Sequence, residues 1–86
     1  MYLRTRHRRT LERIFARPTP SDIRWSEVES LLRALNIEVV EGEGSRVRLR
    51  SGGIRRVVHR PHPSPYLARA AVRNIAIFLT EIGVEP

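Results

Sequence analysis

The sequence predicts an α+β domain in which helices cover one face of a three-stranded antiparallel sheet, in the order α-α-β-β-β-α. Three observations carry this. Two short stretches with helical spacing of apolar residues open the chain, three short alternating runs separated by glycine turns occupy its middle, and a longer amphipathic stretch closes it. Strands that are grouped together, with helices only before and after them, pack those helices on one side of the sheet. At 86 residues the chain has room for a single modest core, so we expect one domain over 1–86, with a basic arm at 1–9 and the folded part at 10–86.

The elements follow in order. Met1 to Arg9 is dense in arginine, and His7 within it reads as a solvated side chain. Leu11, Ile14 and Phe15 share one side of a short helix, which ends before Pro18-Thr19-Pro20 because two prolines forbid its continuation. Ser26 and Glu29 have capping-box spacing, Trp25 stands at the staple position, and Val28, Leu31, Leu32 and Leu35 form the stripe of a second helix. Asn36 is its stop. Strands are predicted over 37–41, 45–50 and 54–59, joined by Gly42-Glu43-Gly44 and by Ser51-Gly52-Gly53. Three prolines keep 60–65 irregular. Ser64-Pro65 has the form of a cap and first helical position. From there a last helix runs to about Ile82, with Leu67, Ala71, Val72, Ile75, Leu79 and Ile82 buried and Gly83 ending it. Val47 and Leu49 should meet Leu31, Leu35, Val72 and Leu79.

Charge is the strongest functional signal. The formal net charge is +7, every basic residue is arginine, and no acid occurs from Gly44 to Thr80. Residues 1–43 hold eight arginines against seven acids, whereas 44–86 hold eight against two. In the second strand Arg46, Arg48 and Arg50 alternate with Val47 and Leu49, which puts the cations on the open face. Such a face is either a solvated surface or a phosphate-binding one. The missing counter-charges favour phosphate, which guanidinium grips bidentately. Arg56 and Arg60 extend the candidate set, and Arg69 and Arg73 on the last helix either widen the patch or are ordinary exposed residues.

Other classes are excluded by composition. With no cysteine there are no disulfides or thiolate metal sites, as expected of a cytoplasmic protein. No apolar run reaches membrane-spanning length, and no hydrophobic signal region follows the basic N-terminus. Trp25, Phe15 and Phe78 read as core or staple residues, so recognition of backbone and shape suits the chain better than base stacking.

His59 and His62 are the only proton-transfer candidates inside the acid-free stretch. Histidine titrates near neutral pH and serves as general acid or base. The Val57-Val58 pair leaves open whether His59 faces the cations or the core. As a metal pair the two lack a third ligand, and no cofactor is expected.

The order of these pieces, with Gly44-Ser45 between the first two strands, His62-Pro63 after the third and the terminal helix beyond, resembles the HicA family of bacterial toxins. The segment from Thr10-Leu11-Glu12 to Trp25-Ser26-Glu27-Val28-Glu29 is similar to that of a longer-armed branch. The resemblance implies a fold like the double-stranded RNA-binding domain. It also implies a metal-independent endoribonuclease that cleaves mRNA and blocks translation, and a HicB-like antitoxin partner. Catalysis is then expected at His62 and His59, and RNA or phosphate binding at Gly44, Ser45, Arg46, Arg48, Arg50, Arg56 and Arg60. One position departs from the family. A histidine usually follows the Gly-Ser; here Arg46 does, and guanidinium cannot accept a proton near neutrality. His62 is the best substitute. Two rival functions remain: a non-catalytic RNA-binding module of the same fold, and a subunit whose arginine face docks an acidic protein.

Overall fold

The structure is a computed structural model and describes residues 3–86. Its elements are α1 (Thr5–Phe15), α2 (Trp25–Ala34), β1 (Glu38–Glu41), β2 (Arg46–Ser51), β3 (Ile54–His59) and α3 (Arg69–Glu81). The strands form one antiparallel sheet in the order β1-β2-β3. This is the expected α+β architecture. α2 packs on β1 and α3 on β3, while α1 lies against α2 and α3 rather than on the strands.

The core follows the predicted alternation. Val47 and Leu49 of β2 are buried together with Leu31, Leu32, Val72, Ile75 and Leu79, while Leu35 packs at the margin. Phe78, read as a core residue though outside the expected stripe of α3, is fully buried, which makes that stripe wider than two residues per turn.

Helix stops are as read and helix starts are not. Asn36 and Gly83 both adopt positive φ after α2 and α3. Ile37 N–H donates to Leu32 O at 3.0 Å and Asn36 N–H to Arg33 O at 3.0 Å; Val84 N–H donates to Leu79 O at 2.8 Å and Gly83 N–H to Thr80 O at 3.0 Å. α2 and α3 thus end in the same paired bonding, which only a residue tolerant of left-handed backbone permits. α2, by contrast, begins at Trp25, and the Glu27 carboxylate accepts the Arg24 N–H at 3.0 Å. The cap sits two residues before the Ser26–Glu29 pairing expected. α3 begins at Arg69, not Ser64-Pro65. The residues between pair with the segment entering α2 instead: Trp25 N–H donates to Pro65 O at 3.0 Å and Leu67 N–H to Ile23 O at 2.9 Å, while Ser64 Oγ accepts the Tyr66 N–H at 3.1 Å within the loop.

The N-terminal arm also departs from expectation. Met1 and Tyr2 lie outside the described residues, but 5–9 are the first turn of α1. His7 is 7% exposed, not solvated, and hydrogen-bonds to Ser30 Oγ at 2.8 Å. It lies three, four and seven residues before Thr10, Leu11 and Ile14, so it continues their buried stripe by one turn.

Candidate active site

The sheet register sorts the cations. Arg46, Arg48 and Arg50 are exposed and stand opposite His59, Val57 and Arg55 respectively. Directly opposed residues share a face, so His59 faces out with the arginines, and Arg55 joins them. Val57 is 50% exposed between them. β1 adds what the acid-free run of sequence conceals: Glu38 stands opposite Arg50 on this same face.

Arg56 is turned the other way. It pairs with Leu49 in the ladder and its guanidinium forms an ion pair with Glu81 at the end of α3. It ties sheet to helix and lies apart from the open face. Arg60 engages Glu41 at 2.9 Å and donates to Gly44 O at 3.3 Å, so it braces the β1–β2 turn. Arg69 Nε donates to Thr19 O at 3.0 Å, holding the proline loop before α2 rather than widening the patch.

The remaining candidates converge at one end of the sheet. Gly44 takes φ of +62° to turn the chain from β1 into β2, which leaves Ser45 at the tip. Ser45 O accepts the Arg60 N–H at 2.8 Å, and Ser45 Oγ lies 3.2 Å from His59 Nδ1. The Pro-rich segment is therefore pinned to the turn at one end and, through Pro65 and Leu67, to the approach of α2 at the other. Between these anchors opens a cleft of about 720 Å³ whose walls include Trp25, Ser26, Gly44, Ser45, Arg60 and His62. His62 enters it from the loop, and Ser45 links it to His59 on the sheet. Arg46, beside Ser45 and across from His59, completes the group.

This arrangement offers two imidazoles for proton transfer and, at Arg46, an exposed guanidinium for developing negative charge. With His59 Nδ1 occupied by Ser45, Nε2 is the nitrogen left for a substrate. Among the described residues no three His, Cys, Asp or Glu side chains gather as a metal site would require.

Two contributors were not singled out from sequence. Trp25 is a half-buried core contact and also a wall of the cleft; its position at the start of α2 signals only packing. Arg55 was recoverable, since a two-residue Gly52-Gly53 turn places 55 opposite 50.

The family model of the HicA toxin of bacterial toxin–antitoxin systems matches residues 25–84. The chain belongs to the HicA toxin family. No curated protein and no solved structure gives a significant match. The matched span begins at Trp25, so this HicA toxin carries its cleft, sheet and α3 inside the family unit and α1 outside it. No helix among the described residues is long and apolar enough to cross a membrane.

Proposed function

We propose that this HicA toxin is a metal-independent endoribonuclease that cleaves mRNA and is silenced by a HicB-like antitoxin covering its cationic face. One observation carries the reading: Ser45, hydrogen-bonded to His59 and next to Arg46 on the sheet, lines a cleft that His62 also lines. RNA supplies its own nucleophile. A base removes the ribose 2′-hydroxyl proton, the 2′-oxygen attacks phosphorus, and an acid protonates the departing 5′-oxygen. The products are a 2′,3′-cyclic phosphate and a 5′-hydroxyl, with no net change in protons.

The ladder refines the division of labour. His62 was the stronger base candidate on sequence alone, but His59 stands directly across from Arg46, the position at which the family's histidine is expected. It is also oriented by Ser45, and a base must be held in place. We therefore assign the base to His59 and the acid to His62, with Arg46 stabilising charge on the phosphate. Arg48 and Arg50 hold the RNA backbone beside it.

Expression of the toxin should arrest growth with loss of mRNA, and co-expression of its antitoxin should relieve both. The purified protein should cleave RNA in the presence of a chelator. Binding without cleavage would instead identify an RNA-binding module, and neither binding nor cleavage a protein-docking subunit.

A further inference from the structure

α1 lies outside both the family match and the cleft, yet it carries a cationic ridge of its own. Arg6, Arg9 and Arg13 recur at i, i+3 and i+7 along one flank, beside the buried side of His7 and Thr10. With Ser26 and Glu27 of α2 they line a groove of about 480 Å³. Ser26 is a wall of this groove and of the cleft alike, so the two meet across the first turn of α2.

The charges in the groove are not balanced from within. Arg13 forms an ion pair with Asp22, which leaves Arg6 and Arg9 against the one acid that lines the groove, Glu27, whose carboxylate accepts the Arg24 N–H and keeps its charge. Arg6 and Arg9 have no acidic partner among the described residues. Their placement is doubly unfavourable for α1 alone. Like charges one turn apart destabilise a helix, and the helix dipole disfavours cations near an N-terminus; the first turn of α1 holds no acid to offset them. A polyanion lying along the groove removes both penalties.

We propose that Arg6 and Arg9 form a second phosphate-binding subsite, which holds the RNA strand where it leaves the cleft across Ser26. This rests on the ribonuclease reading above. The stretch from Arg6 to Arg13 spans about 10 Å of helix axis, so the subsite takes strand flanking the scissile phosphate rather than the reacting nucleotides. Its donors are guanidiniums and the Ser26 hydroxyl, which take phosphate oxygens, and they outnumber the one carboxylate of the groove, Glu27. It therefore confers dependence on RNA length and not on sequence.

The test compares the wild-type toxin, Arg6→Ala/Arg9→Ala and Arg6→Lys/Arg9→Lys on a trinucleotide and on an unstructured RNA of about 16 nucleotides, a length at the upper end for one domain. The alanine variant should bind the long RNA about tenfold more weakly, with a salt slope reduced by about 1.4, for two lost phosphate contacts at about 0.7 each. Trinucleotide cleavage should separate from this loss, and the lysine variant should recover most of the slope. Equal loss on both lengths would overturn the proposal, since the arginines would then act by seating α1. So would unchanged long-RNA binding, whether or not antitoxin affinity fell. If the wild type binds neither RNA, the ribonuclease reading itself fails, and the subsite fails with it.

Discussion

The two ends of the open sheet face both carry arginine, but in different company. At one end Arg50 and Arg55 face each other with Glu38 alongside, and Arg56 behind them is tied to Glu81. At the other, Arg46 faces His59, and the nearest strand acid, Glu41, is taken by Arg60. The first end has an acid of the same face beside its arginines, whereas the second pairs its arginine with an imidazole. Arginine on a sheet is therefore not one signal: its meaning depends on what the neighbouring strands bring opposite it.

The sharpest way to break this comparison is to truncate one arginine at each end. Arg46→Ala should lower kcat by about 100-fold, the scale for losing one charge-stabilising donor. Its pH profile should keep its shape, because guanidinium does not titrate near neutrality. Arg50→Ala should leave kcat unchanged and weaken binding only. Equal losses in kcat would erase the distinction between the ends.

A smaller effect is expected in binding. Arg48→Ala together with Arg50→Ala should flatten the salt dependence of RNA affinity by about 1.4, and alike for unrelated sequences. Glu38→Gln should act in the opposite sense, raising affinity modestly by removing a negative charge from the face that carries Arg50 and Arg55. If Glu38→Gln has no effect, the compensation inferred at that end is absent.

The smallest effect concerns α1. Burial and the nearby Arg6 and Arg4 guanidiniums hold His7 below the ordinary histidine value. A depressed pKa means that the unfolded chain takes up the proton first. The stability from neutral His7 and its Ser30 bond is thus complete above about pH 6.5 and lost as pH falls below it. His7→Gln, which keeps a hydrogen-bonding group but does not titrate, should flatten the fall in Tm between about pH 7 and 5. An unchanged slope would place the acid sensitivity elsewhere.

Much of the fold was legible because its signals are local. Alternation in β2, the glycine turns, and Asn36 and Gly83 as stops each depend on a few adjacent residues. What was not legible depends on pairing between distant segments. α3 starts late because 64–67 is recruited by the approach to α2, and an isolated Ser-Pro cannot reveal that. His7 reads as solvated until α1 is placed against Ser30. The facing of His59, ambiguous beside Val57-Val58, is decided by its partner Arg46 across the ladder. Gly44, Ser45 and His62 were candidates on sequence and line one cleft, whereas Trp25 as a cleft wall and Arg56 as a helix tie needed the tertiary structure.

The most direct test of the account is the chemistry of the cut ends, measured with the wild type, His59→Ala and His62→Ala across the histidine range from about pH 5.5 to 8.5. The wild type should give 2′,3′-cyclic phosphate and 5′-hydroxyl ends in chelator, with a bell-shaped rate profile. Each variant should lose about 100- to 10,000-fold in rate together with one limb of the bell, the acidic limb for His59 and the basic limb for His62. Full activity in both variants, or products ending in 3′-hydroxyl and 5′-phosphate, would contradict a histidine-based site in this cleft.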